Sequence, residues 1–221
     1  MLVITDYTVL PKILQEAQAN LPKFDQRIAL NHPTGKFFTD PWVIKPEFAG
    51  TVWETILASI AEPLGEARLI RLNSGEAYPS HADIDDRWHL SITGNHSYLI
   101  DLENEQMYTT QLGQWYLMDA GVRHTAINVG NEPRVQLVVR KLLLPSRIQT
   151  PINVVVTLKD VVSTRRFIFD DVISPWLNRA YKLGIVDNFA GEDLKATFTI
   201  EESHYNELKD LVSEHFNVEI V

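Results

Sequence analysis

The sequence predicts a mainly β protein, a jelly roll of two sheets preceded by helices and followed by a small α+β appendage. Three observations predict it. Between residues 67 and 144 apolar side chains recur with a period of two, the repeat of strands buried on one face. Turn signals at Gly94-Asn95, Glu103-Asn104, Leu112-Gly113 and Gly130-Asn131 cut that stretch at short intervals. On both sides of it the period lengthens to that of helices. With 221 residues, 45% of them hydrophobic and 22% charged, the chain is long enough for one sizeable core and a smaller companion.

Taken in order, residues 8 to 21 carry Leu10, Ile13, Leu14, Ala17 and Leu21 on one helical face. Thr8 is placed to cap this helix, and Pro11 falls in the first turn, where proline is tolerated. Residues 26 to 30 read as a short strand, and His32-Pro33-Thr34-Gly35 as a turn. A second helix is expected over about 51–61, with Thr51 and Glu54 at capping-box spacing and Val52, Trp53, Ile56, Leu57 and Ile60 as its buried stripe. Pro63 and Gly65 end it.

Strands follow at 67–73, near 79–83, and at 87–93, 97–103, 106–111, 114–119, 124–129 and 134–144. Eight short strands with tight turns describe a double-stranded β-helix, the cupin-like jelly roll, on whose outer face the preceding helices pack. Beyond Pro145 and Pro151 the pattern reads strand 152–158, helix 164–183 (interrupted by Pro175), strand 195–200, helix 203–216 and strand 217–221. The expected organisation is therefore a jelly-roll domain with helical support over 1–148 and an α+β appendage over 149–221, the latter a candidate dimerisation element.

The net charge of −9 repels phosphate backbones, and the basic pairs Arg140-Lys141 and Arg165-Arg166 are too short to offset it, so no nucleic-acid partner is expected. No apolar run reaches membrane-spanning length, and Met1 to Tyr7 lack the features of a signal peptide. The absence of cysteine excludes disulfides and thiolate ligands; a cytoplasmic location is the expectation.

The chemistry centres on His81-Ala82-Asp83. Two residues apart on an extended segment, His81 and Asp83 point the same way and can hold one metal together. His124 opens a later strand that a jelly roll can lay beside them. Two imidazoles and one carboxylate leave open positions on a metal, the pattern of non-haem Fe(II) oxygenases. Alone, a His-x-Asp pair is a weak signal that arises by chance in many chains, and it reads first as a turn histidine beside a solvated carboxylate. Arg134, ten residues past His124, sits in a strand otherwise carrying Val135, Leu137 and Val139. A charge facing a barrel interior is costly unless an anion pairs it, and a guanidinium fork fits a carboxylate. The alternative is a strand-end charge turned to solvent after Pro133.

His81-x-Asp83, His124 and Arg134 together resemble the 2-oxoglutarate-dependent oxygenases, and within them the aspartyl/asparaginyl β-hydroxylase-like family, which includes the cis-3 type of proline hydroxylase. Arg87-Trp88-His89 is similar to the Arg-x-His that follows the first ligand in that family. The likeness spans about residues 65 to 144 and leaves the tail unaccounted for. It implies Fe(II) held by His81, Asp83 and His124, and 2-oxoglutarate anchored through its far carboxylate on Arg134. It further implies that Arg87 and His89 contact the cosubstrate or a substrate carboxylate, although His89 also reads as a hydrogen-bonded core histidine.

The activity implied is hydroxylation of an amino acid, free or in a peptide, with release of succinate and CO2. The presence of Asp83 disfavours halogenation. Two rivals stay open: a cupin-like metalloenzyme that does not use 2-oxoglutarate, and a non-catalytic metabolite-binding jelly roll. Trp88, Trp115 and Tyr116 read as core or wall, and Trp42 and Asn73-Ser74 as candidates for the mouth. Asp85-Asp86 reads as a solvated loop pair within reach of a basic substrate group. His32, His96, His204 and His215 read as surface or structural.

Overall fold

The computed structural model describes residues 2–159, 172–192 and 195–221. These divide into two compact units. The first comprises Met1–Ser80 and Asp85–Leu142; the second comprises Leu143–Val221, with the short stretch His81–Ile84 grouped with it by its backbone contacts.

In the first unit, six strands form one sheet: β1 (Leu2–Thr8), β2 (Arg27–Ala29), β5 (Leu64–Leu72), β6 (Arg87–Thr93), β9 (Gln114–Met118) and β11 (Arg134–Lys141), in the order β1-β9-β6-β11-β5-β2. A second sheet has β7 (Ser97–Asp101), β8 (Gln106–Thr109) and β10 (His124–Asn128) in the order β10-β7-β8. β3 (Asn31–Pro33) and β4 (Trp42–Ile44) make a separate pair. Residues 75–78 run along the free side of β10: Gly75 N–H donates to Asn128 O (2.8 Å), Tyr78 N–H to Ala126 O (2.7 Å), and Ala77 bridges Ile127. Counting that segment as a strand, the eight barrel strands divide four and four, β9-β6-β11-β5 in the large sheet and the 75–78 segment, β10, β7 and β8 in the small one, which is the jelly-roll topology.

The expected strand near 79–83 is thus moved. Pairing with β10 is made by 75–78, because Pro79 has no N–H to give to a ladder, and the residues after it are irregular apart from a single bridge at His81. The other expected barrel strands lie within a few residues of their predicted bounds. β1 and the β3–β4 pair were not foreseen.

The faces of the large sheet differ. Trp88, Leu90 and Ile92 of β6, Trp115 of β9, Val135, Leu137 and Val139 of β11, and Ala67 and Leu69 of β5 share one apolar cluster with α1 (Pro11–Ala19) and α2 (Val52–Leu57). α2 buries Val52, Trp53, Ile56 and Leu57 of its predicted stripe, whereas α1 buries only Leu14 and Ala17 of its own: Ile13 is half-buried, Leu21 lies past the helix end, and Leu10, at the cap position, is 60% exposed. Thr51 Oγ1 caps α2 by accepting from Trp53 N–H, whereas Glu54 reaches back to Gly50 N–H (2.7 Å), one residue earlier than a capping box requires. Thr8 does not cap α1. It pairs with Gln114 at the end of β1, and Leu10 occupies the cap position. Trp115 donates its indole N–H to Ser59 Oγ at 2.9 Å, which satisfies the polar edge of a fully buried ring.

The second unit contains β12 (Pro151–Leu158), α3 (Ser174–Leu183), β13 (Val186–Glu192), β14 (Lys195–Glu201), α4 (Tyr205–Val212) and β15 (Phe216–Ile220), its antiparallel sheet ordered β13-β14-β12-β15. This is the split βαβ arrangement of the ferredoxin-like fold. Val154, Val156, Ala196, Phe198 and Ile200 from the sheet are buried, as are Trp176, Leu177 and Ala180 from α3 and Leu208 and Val212 from α4. Pro175 occupies the first turn of α3, where it costs no hydrogen bond. The part of the expected helix over 164–171, with Arg165, Arg166 and Phe169, lies outside the described residues. A ferredoxin-like fold carries many unrelated functions and by itself assigns none.

Candidate metal centre

Pairing of 75–78 with β10 is what brings the two halves of the motif together. The rung between Ala77 and Ile127 fixes the register, so the chain leaving Ser80 runs beside the start of β10. Arg123 Nη2 donates to Ser80 Oγ (3.2 Å), and Thr125 Oγ1 donates to the Tyr78 carbonyl. His81 follows the first of these contacts and His124 sits between them. One ligand atom each from His81, Asp83 and His124 lie within 4.8 Å of one another. His81 Nε2 and Asp83 Oδ2 are 3.5 Å apart, too long for a good hydrogen bond but close enough to face a common ion.

The tautomer of His124 suits this role. Its Nδ1–H donates to the Val122 carbonyl at 2.8 Å, which leaves Nε2 as a lone pair. A ligating histidine characteristically gives its other N–H to such an acceptor, and the bond orients the ring. Two imidazole nitrogens and one carboxylate oxygen form a donor set suited to Fe(II), with positions to spare.

The inner face of the large sheet is polar. Alternation along β11 sends Val135, Leu137 and Val139 to the helices and Arg134 and Gln136 to the other side, where His89 of β6 also lies. Arg134 is 3% exposed and has no carboxylate partner among the described residues; burial lowers its pKa to about 10, so it still carries its charge at neutral pH. Gly94, at φ +101°, allows the approach: a Cβ there would stand 3.1 Å from Cα and Cβ of Arg134.

His89 is a buried ring whose Nδ1 lies 3.3 Å from Gln136 Oε1. Burial is the main cause of its pKa falling to about 3. The Gln136 bond opposes that fall, and the charges of Arg134, His124 and Arg87 reinforce it. His89 therefore stands within the electrostatic reach of both the candidate metal ligand His124 and the candidate anchor Arg134.

Arg87 is engaged with the protein itself. Its Nη1 donates to Asp85 Oδ2 at 2.7 Å, while Asp85 Oδ1 accepts from Arg140 Nη1 at 2.6 Å and Arg140 Nε reaches Glu66 at 3.1 Å. This corrects the reading of Asp85 as solvated: it is 1% exposed, because two arginines on neighbouring strands face the same interior and need a counter-charge. Asp86 is half-buried and its carbonyl accepts from Lys141 N–H. Trp88, Trp115 and Tyr116 are buried, while Asn73 and Ser74 lie in an exposed turn. Trp42 packs edge-on against Phe37.

Sequence reasoning missed Gln136 and the Asp85 clamp. The first was legible as a polar residue two positions beyond Arg134, in step with it and out of step with the valines. The second was not legible, since it depends on which strands are neighbours.

A jelly roll gathering two imidazoles and a carboxylate has the layout of a mononuclear non-haem metalloprotein. Residues 38–142 match the model of the family described as aspartyl/asparaginyl beta-hydroxylase. The match covers a little under half of the chain, and over that stretch the chain is similar to the aspartyl/asparaginyl β-hydroxylases, a likeness that supports a hydroxylase-type oxygenase. No curated protein matches the sequence. Similar solved structures include a 2OG-Fe(II) oxygenase family oxidoreductase from Burkholderia pseudomallei, 10% identical, with 57% of this chain and 74% of that one covered at a TM-score of 0.41. A cupin domain from Bordetella pertussis Tohama I is 14% identical, covering 53% and 97% at 0.32. The CENP-C cupin domain of Drosophila melanogaster is 11% identical, covering 59% and 94% at 0.31. The family match and the site support that reading; these distant likenesses carry none of it. No described helix is long and apolar enough to cross a membrane.

Proposed function

We propose that this protein is an Fe(II)- and 2-oxoglutarate-dependent hydroxylase acting on an amino acid, free or within a peptide. The observation that carries the reading is the convergence of His81, Asp83 and His124 within 4.8 Å. Its support for 2-oxoglutarate is Arg134, a buried cation with no carboxylate partner among the described residues.

His81, Asp83 and His124 are the residues to hold the iron. When bound, Fe(II) supplies the oxygen chemistry, coupling decarboxylation of 2-oxoglutarate to succinate and CO2 with insertion of one oxygen atom into a substrate C–H bond. The chain contributes position and charge. The Val122 carbonyl holds the His124 ring in its ligating tautomer. Arg134 pairs with the far carboxylate of the cosubstrate in a dry setting, where that pairing is stronger than in water. The Asp85 bridge to Arg87 and Arg140 ties down the chain just after Asp83.

The test is anaerobic loading with Fe(II) and 2-oxoglutarate, then exposure to oxygen and measurement of succinate over a panel of amino acids and peptides. Succinate release that disappears in His124→Ala and needs far more 2-oxoglutarate in Arg134→Ala is the expected result. Full activity on some substrate in Arg134→Ala, with no succinate, would point to a cupin-like metalloenzyme without 2-oxoglutarate. Metal-independent ligand binding that survives His124→Ala would point to a non-catalytic jelly roll.

A further inference from the structure

Gln136 has no part in the reading so far, yet it touches both of its polar neighbours. It is 2% exposed, and its Oε1 accepts from Arg134 Nη2 and lies 3.3 Å from His89 Nδ1. A guanidinium only donates, so the atom facing it must be the amide oxygen, and that fixes which way the Gln136 amide is turned. The same oxygen faces His89 Nδ1, so Nδ1 bears the proton of the neutral ring and Nε2 is left as a lone pair.

On these three side chains one buried nitrogen each then has no partner among the described residues: Gln136 Nε2, Arg134 Nε and His89 Nε2. The first two are donors and the third is an acceptor. Buried donors are rarely left dry, and two on hydrogen-bonded neighbours can be met by one acceptor group with two oxygens. A carboxylate is such a group. The neutral His89 cannot donate to it.

We propose that Gln136 completes the anion cradle: Oε1 holds Arg134 and His89 in place while Nε2–H donates to the carboxylate that Arg134 pairs. This rests on the reading of Arg134 as the anchor of 2-oxoglutarate. In this arrangement the cosubstrate's far carboxylate is gripped by Arg134 and Gln136, and His89 acts as a positioning residue.

Binding of 2-oxoglutarate to the Fe(II)-loaded protein under nitrogen, measured by calorimetry, tests it in the wild type, Gln136→Glu, Gln136→Leu and Arg134→Ala, with melting temperature recorded for each. Gln136→Glu is the informative change. It keeps the size and the acceptor for Arg134 and His89, but removes the donor and adds a negative charge. Its affinity is expected to fall on the order of 100-fold with the melting temperature preserved, and that of Gln136→Leu on the order of 10-fold. In turnover, the KM for 2-oxoglutarate should rise with kcat kept within a few-fold. If Gln136→Glu binds 2-oxoglutarate within about twofold of wild type while Arg134→Ala does not, the residue only orients its neighbours, or water fills its donor, and the cradle is refuted. If Arg134→Ala itself binds normally, the cosubstrate reading fails, and the cradle with it.

Discussion

Lowering the pH should destabilise the jelly roll through His89. A free imidazole titrates near 6.5, and burial brings this one to about 3. Between those values the unfolded chain takes up a proton that the folded chain refuses, so stability is complete above about pH 6.5 and declines as the pH falls toward 3. At pH 5 the unfolded side has gained the equivalent of about 1.5 pH units, worth about 2 kcal/mol at roughly 1.36 kcal/mol per unit. The ring is 6% exposed, so little solvent screening reduces the effect. Urea denaturation of metal-free protein at pH 7 and pH 5, followed by fluorescence of the buried Trp53, Trp88 and Trp115, measures it. His89→Leu should lose about 2 kcal/mol less than wild type over that interval, whatever its stability at pH 7. Equal losses in both proteins would mean that the imidazole charges freely inside the fold, and the buried neutral ring would be refuted.

Asp85→Asn leaves Arg87 and Arg140 facing each other without their shared carboxylate; a cost of about 3–5 kcal/mol is expected, read as a lower urea midpoint. Gly94→Ala combines a positive φ with a Cβ 3.1 Å from Arg134. It should cost about 1–3 kcal/mol and weaken 2-oxoglutarate binding, which calorimetry at a temperature where the variant remains folded separates from the stability loss. Trp115→Ala opens a cavity beneath the helices on the apolar side of the sheet; about 3–5 kcal/mol should be lost while metal content, measured on folded protein, stays at the wild-type level.

Much of the architecture could be read from local pattern. The alternation in β6, β7, β9 and β11 and the turns between them follow from backbone geometry, because successive side chains on a strand must point to opposite faces. The stripes on α1 and α2 were legible for the same reason at a different period. Strand β1 was overlooked because Leu2–Thr8 is half-exposed at a sheet edge and its pattern is weak. The segment beside β10 was displaced by a few residues, since a short run broken by Gly75 and Pro79 carries little periodicity of its own.

For the site, the residue types and their spacing in the chain were enough to nominate His81, Asp83, His124 and Arg134. Sequence determined that His81 and Asp83 stand two residues apart, that His124 lies ten residues before Arg134, and that one cation interrupts an apolar strand. Tertiary structure alone decided that the Ala77–Ile127 pairing draws His81 toward His124, that Asp85 turns inward between two arginines, and that Gln136 bridges Arg134 to His89. The difference is physical: periodicity is a property of the backbone over a few residues, whereas these meetings depend on which distant strands share hydrogen bonds and in what register.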